Sequence, residues 1–281
     1  AENNTAVGYA SLGANTTGTQ NNGFGVNALV ANTTGDYNVA VGTNALSSNT
    51  TADENVAVGR NALLVNTTGH SNVAVGALAL DSADTNNNTA IGYQAMTNST
   101  ASECVAVGSR ALKAHTSGAR NSALGSEAAT AVTTANDITA IGRSSLQACT
   151  TGSNNTALGS KSLMSNTTGT SNTAVGLQAL LTVTTGSANV GVGINAGNAI
   201  TTGNFNTCVG QAAGDNITTG NNNLILGHDS NCSSATASNE VVLGGSGIAT
   251  LRCNTQTING LSDLDEFLCI FLATSSFPVP V

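Results

Sequence analysis

A glycine returns every seventeen residues along almost the whole chain. It closes a phrase of the form A-V-G and stands at positions 8, 25, 42, 59, 76, 92, 108, 125, 142, 159, 176, 193, 210, 227 and 244. The step shortens to 16 only into Gly92 and into Gly108. Fifteen copies at so constant a spacing mean that each copy is one structural unit stacked on the next. The two single-residue deletions fall in the variable stretches around Asp84 and Ala101, where a loop can shorten. A helix cannot carry this pattern, because the Gly and the following T-T-G would break it in every unit. Seventeen residues suit one coil of a β-solenoid, with two short strands and two corners. Gly and Asn are expected at the corners, since they take left-handed backbone angles cheaply. With parallel strands about 4.8 Å apart, fifteen coils make a rod of roughly 70 Å.

Within a unit, the residue before the Gly is Val, Ile or Leu, as in Val41, Val58, Val75 and Val175, with Phe24 the exception. Two residues earlier stands Val or Thr in most units, as in Val39 and Thr173, and a small residue lies between, as in Ala40, Ala57, Ala74 and Ala140. Period-two alternation over so short a stretch reads as a strand. The expectation is that the Val column faces the core together with Leu46, Leu63 and Leu180, which follow the Gly by four residues. The Ala column would then face outward. A flat row of Ala suits close packing against a neighbouring chain, most simply around a three-fold axis, since each coil has few large side chains and a thin core of its own. Asn stands four residues before the Gly in twelve units, among them Asn38, Asn55 and Asn172, and stacked Asn side chains can hydrogen-bond along the ladder. The N-T-T-G corners create N-x-T sequons at Asn15, Asn32, Asn49, Asn66 and Asn166, which the repeat generates of itself.

Composition narrows the function. Charged residues are 8% of the chain, against about 25% in a typical soluble domain, while 40% are apolar. The chain can therefore bury surface and is not of the disordered kind. Its net charge is −8 with no basic patch, which argues against nucleic acid and against anionic membrane surfaces as partners. No apolar run reaches the ~18 residues of a spanning helix, so membrane insertion is not expected. Six Cys at 104, 149, 208, 232, 253 and 269 form no C-x-x-C pair and read as buried free thiols. The acids Asp36, Asp53, Glu103 and Asp137 fall near a corner rather than across a cleft, and His70, His115 and His228 fall at three different offsets. Neither a carboxylate pair nor a ligand ladder results, so no enzyme, cofactor or metal is expected. The last coils change character. The Ala column becomes Cys208, Ile225 and Val242, and the Leu column becomes Gly197, Gly214 and Asn231. That reads as a transition toward a neck, or as an end specialised to bind another component.

The recurring N-x-A-V-G-x-x-A-L with N-T-T-G resembles the head repeat of trimeric autotransporter adhesins and, more closely, the repeat of tail-fibre proteins of phages and related viruses. The resemblance covers Asn4 to about Ile248. It implies a left-handed parallel β-roll with three chains packed side by side. The segment ATLRCNTQTINGLSD, Ala249 to Asp263, resembles the neck that leads into the intramolecular chaperone of the peptidase S74 type, which cuts itself off before the Ser of a Ser-Asp pair. The matching pair here is Ser262 and Asp263, a vestigial cleavage site. The chain then continues as the apolar LDEFLCIFLATSSFPVPV instead of the basic, polar stretch of that family.

The expected organisation is an all-β, parallel β-solenoid of about fifteen 17-residue coils over 1–248, a neck over 249–263 and an apolar tail over 264–281. The expected function is a homotrimeric structural and adhesive fibre shaft of a virion, a phage tail fibre for host attachment. Its partners would be its own copies, other fibre components at the rod ends and a host surface receptor. The alternatives are a bacterial trimeric surface adhesin or extracellular filament, with location at the cell surface, and an ice-binding solenoid using the stacked Thr pairs.

Overall fold

The computed structural model describes residues 1–82 and 84–245. Fifteen three-residue strands, from β1 (Thr5–Val7) to β15 (Val241–Leu243), form one parallel sheet whose strand order is the chain order. They enclose fourteen complete turns of a β-solenoid. Each strand is the predicted alternating triplet, rich in β-branched residues that suit a pleated surface. Each ends at the repeated Gly, whose φ lies between 127° and 142° in the first fourteen copies. The repeat period sets the register directly: Val39 pairs with Val56 and Val56 with Val73. The register survives both short coils, where Val73 pairs with Thr89 and Thr89 with Val105.

The second strand expected in each coil is absent among the described residues. That side of the coil is a run of turns, yet it is hydrogen-bonded to the next coil all the same. Leu29 N donates to Ala45 O at 3.1 Å, Ala31 N to Ser47 O at 3.2 Å and Thr33 N to Thr50 O at 2.9 Å. The corners also differ from expectation, because non-glycine residues take the left-handed conformation there. Leu46, Leu63 and Leu180 have φ of 50°, 49° and 50°. Such a backbone costs roughly 1–2 kcal/mol. Each of these Leu is fully buried, which returns about 1.5–3 kcal/mol, so the strain is offset by the burial it makes possible.

The orientation of the strand is the reverse of the one expected. Ala40, Ala57, Ala74 and Ala140 are fully buried inside the coil and are not available to a neighbouring chain. Val41 is 38% exposed, and Val58, Val75 and Val175 are half-buried, so this column lies on the outer face. The reason is width. The Leu column reaches across the coil and abuts the small-residue column: at Gly191, which replaces Ala, an added Cβ would stand 2.8 Å from Leu180 Cγ. An interior already filled by Leu has room for Ala opposite and not for Val. The Leu expectation holds.

The Asn ladder is buried and closed. Asn172 Oδ1 accepts from Asn189 N at 2.9 Å and Asn189 Nδ2 at 3.1 Å, while Asn172 Nδ2 donates to Gly186 O at 2.9 Å. The same pattern links Asn21, Asn38, Asn55 and Asn72. These polar side chains satisfy the backbone groups that the turns leave open, as burial demands.

The deletions sit in the T-T corners, as expected. In a regular corner one Thr carbonyl collects the amides of the preceding coil: Thr33 O accepts from Thr16, Thr17 and Gly18 N at 2.9, 3.1 and 3.3 Å. Where the corner is shortened, Asp84 takes over this duty. Its Oδ1 accepts from Thr67, Thr68 and Gly69 N at 3.1, 2.8 and 2.8 Å, and its Oδ2 accepts from the Thr67 hydroxyl. Partial burial pushes this carboxyl up, but the hydrogen bonds from Thr67, Thr68 and Gly69 outweigh it and leave it below its ordinary 3.8. A lowered carboxylate stabilises above its unfolded value, and that contribution is lost as pH falls through the lowered one. Asp84→Ala is therefore expected to lower stability by about 1–2 kcal/mol at neutral pH. In thermal melts its deficit against the unmodified chain should shrink below pH 3.8. A deficit that does not change with pH would show that the carboxylate charge is not what holds the corner.

Candidate interaction surface

The outward side of the sheet is the most distinctive surface of the described residues. Two positions of each strand face out: the Val, Thr or related residue that opens it and the aliphatic residue that closes it. Neither position carries a charged residue in any of the fifteen strands. The closing column, from Val7 through Val41, Ile91, Leu124 and Leu158 to Leu243, forms an unbroken aliphatic row apart from Phe24. Ile91, Leu124 and Leu158 are 39%, 46% and 44% exposed. Single exposed aliphatics are ordinary on a surface, but a contiguous row marks an interaction face.

Charge is confined to the flanks. Arg120 and Asp137 pair at 2.6 Å, and Arg110 and Glu127 at 3.5 Å, all on corner positions of successive coils. A second, polar ladder runs along the corner six residues before the repeated Gly. There an Asp, Asn or Ser side chain accepts the amide of the preceding coil: Thr19 N donates to Asp36 at 2.6 Å, Asp36 N to Asp53 at 2.7 Å and Ser187 N to Asn204 at 2.9 Å. The sequence signal for it was the short polar residue at this offset, and Asp36 and Asp53 belong to it as ladder members. The first Thr of each pair is likewise engaged, as in Thr33 Oγ1 donating to Thr50 O at 3.0 Å. The second Thr of the pair faces solvent, as at Thr34 and Thr51, and Thr16 and Thr116 of the first column are exposed as well.

The remaining sequence candidates are placed as follows. Asn32, Asn49, Asn66 and Asn166 are fully buried, and Asn15 half-buried, so the corner sequons are interior packing. Cys104, Cys149, Cys208 and Cys232 are free and buried. Burial pushes the Cys149 thiol up to about 11 and, with Cys232 nearby, that of Cys208 up to about 12, which leaves them as thiols rather than reactive thiolates. Among the described residues no three His, Cys, Asp or Glu side chains are grouped to hold a metal ion, and no helix is long and apolar enough to cross a membrane. His70 and His228 are on the surface, and His115 is fully buried.

The change in the last coils is a repacking of the same core. Gly197 and Gly214 keep the left-handed corner with φ of 58° and 67°, and the lost Leu volume returns at Ile200 and Ile217. A Cβ at Gly197 would lie 3.0 Å from Ile200 Cδ1 and 2.8 Å from Leu180 Cδ2. The neck 249–263, the tail 264–281, Ser262, Asp263, Cys253 and Cys269 lie outside the described residues. Comparison with family models, curated proteins and solved structures finds no match to this chain.

Proposed function

We propose that the chain is the shaft of an adhesive fibre, in which three copies stand side by side with their sheet faces turned to one another. The observation that carries this reading is the charge-free sheet face along all fifteen strands, with its apolar closing column from Val7 to Leu243. The Ala column that suggested chain-to-chain packing is inside the coil, and the Val, Ile and Leu column takes its place. From strand spacing and rise, the face measures roughly 70 Å by 10 Å, or about 700 Å². A standard interface buries about 800 Å² per partner, so such a strip is of the right size once flanking side chains join it. The resemblance of the repeat to viral tail fibres supports a place in a virion and a role in host attachment, with other fibre components at the ends. A shaft needs length, stiffness and assembly, and no site chemistry. The repeated coil supplies the first two and the sheet face the third.

Placing charges on this face tests the reading. The double substitution Val58→Lys and Val175→Lys leaves the interior untouched, because both side chains point outward. It is expected to reduce the particle from three chains to one in sedimentation equilibrium, with an unchanged far-ultraviolet circular dichroism spectrum. An unchanged mass would locate the interface elsewhere.

A further inference from the structure

Among the described residues the interior of the coil holds one buried histidine, near the middle of the rod. His115 occupies the column position held by Asn32, Asn49, Asn66 and Asn166 in other coils, and it is fully buried. It follows directly after the two shortened coils, between β7 (Val105–Val107) and β8 (Ser122–Leu124). Both ring nitrogens are engaged. Nε2 lies 3.0 Å from Asn121 Nδ2, and Nδ1 lies 3.0 Å from Ser99 Oγ. The Asn121 amide is fixed by its other partners. Its Nδ2 donates to Ala135 O at 2.7 Å and to Gly118 O at 3.1 Å, and its Oδ1 accepts from Ile138 N at 3.1 Å. The two Nδ2 hydrogens are thus taken by these carbonyls, and the neutral ring lies among the Ser99 hydroxyl, the Asn121 amide and the Gly118 carbonyl, which accepts from it.

A second proton would make the ring a buried cation with no carboxylate among its partners, which are Ser99, the Asn121 amide and the Gly118 carbonyl. Turning the amide over would strand the Ile138 N–H and set Oδ1 against two carbonyls. The other groups in this part of the interior give no help. Val132 holds the same column in the next coil. Cys104, which breaks the Asn ladder at this level, donates to Gly118 O at 3.4 Å as a neutral thiol pushed up by burial. No charged side chain hydrogen-bonds to the ring: Lys113, on the same coil, is half-buried, and Glu103 and the Arg120–Asp137 pair lie at the surface. Burial lowers the imidazole below its ordinary 6.5, opposed only by the Gly118 carbonyl.

We propose that the cluster of His115, Ser99, Asn121 and Cys104 is an acid-sensitive seam, at which protonation of the ring opens the solenoid locally while the coils on either side stay stacked. Each coil contacts only its neighbours, so an opening at one level need not spread along the rod. The sign follows from linkage. A His held below 6.5 stabilises the closed coil above that pH. As pH falls below it, the opening constant rises by up to about tenfold per pH unit until the folded value is passed.

Hydrogen exchange on the intact chain at pH 7.5 and 5.0, corrected for intrinsic exchange rates, tests this. Protection in residues 92–142 is expected to fall several-fold at the lower pH, with about thirtyfold as the ceiling, and the flanking coils are expected to be unchanged. His115→Asn restores the residue found elsewhere in the column and is expected to abolish the loss. A carbon-labelled histidine titration of the unmodified chain gives an independent reading: the His115 imidazole should titrate below 6.5. Equal protection at both pH values, the same selective loss in His115→Asn, or His115 titrating at or above 6.5 would each overturn the seam.

Discussion

Gly142→Ala is expected to split the rod. At this position φ is +130°, and a Cβ would stand 2.5 Å from Gly159 C and O and 2.9 Å from Ser160 N. The obstacle is the backbone of the next coil, which cannot swing aside as a side chain could. Strain from the positive φ is worth roughly 1–3 kcal/mol. Overpacking that forces two coils apart adds about 1–3 kcal/mol. The total, about 2–6 kcal/mol, falls on a single coil-to-coil junction. Limited proteolysis should then cut between residues 125 and 159, and the thermal melt should divide into two transitions. The corner glycine of N-T-T-G provides the contrast. A Cβ at Gly169 would also meet backbone, 2.2 Å from Gly186 O, but φ there is not positive, and Ala already stands at that offset at Ala52, Ala101, Ala135 and Ala237, so this corner can shift to take it. Gly169→Ala is expected to lose clearly less stability than Gly142→Ala. Equal losses in the two variants would mean that the close approach at the A-V-G glycine is not what fixes it.

Asn172→Ala is expected to be nearly as costly, through polar groups rather than volume. The substitution removes the acceptor for Asn189 N and the donor to Gly186 O, both in the interior. Each buried group left without a partner costs about 1–3 kcal/mol, so the sum is roughly 2–6 kcal/mol. The column is already broken at Cys104 and Ile138, so a gap is survivable, and a folded but less stable rod is the expected product. Chemical denaturation of Asn172→Ala beside Asn172→Asp would check this. Asp keeps the acceptor and loses the donor, and should be worse near neutral pH than under mildly acidic conditions. A variant as stable as the unmodified chain would show that water or backbone shifts replace the ladder.

Much of this molecule is legible in its sequence because the fold repeats what the sequence repeats. The period gave the coil, the register and the site of each strand, and the Leu and Asn columns gave two of the interior rows. The direction of the strand was not legible from alternation, because a triplet such as Val39–Val41 alternates equally well either way. Assigning the larger apolar residue to the core failed since the Leu of the opposite side already fills it. A clue was present all the same. The middle position stays small through most of the chain, with Gly at Gly23 and Gly191, and gains size at Ile225 only after Leu gives way to Gly214. A column that must stay small is more naturally an interior one than an exposed one. The left-handed Leu corners had no such signal, since Leu is not a residue that favours positive φ. Their conformation is imposed by closure of the coil. The ladder at Asp36 and Asp53 was visible only as scattered acids, because the amide it serves is defined by the turn and not by the sequence.

Asp84 and His115 show how the repeat absorbs irregularity. One replaces a missing carbonyl with a carboxylate, and the other replaces an amide in a buried row with an imidazole. Both lie at or just after the shortened coils, where the regular partners are displaced.

The number of chains in one rod is the measurement that bears most directly on the shaft assembled through its sheet face. Light scattering on the chain under native conditions should give a single species at three times 27.6 kDa. A monodisperse species at 27.6 kDa would contradict it, since the apolar closing column of all fifteen strands would then stand in water without a partner.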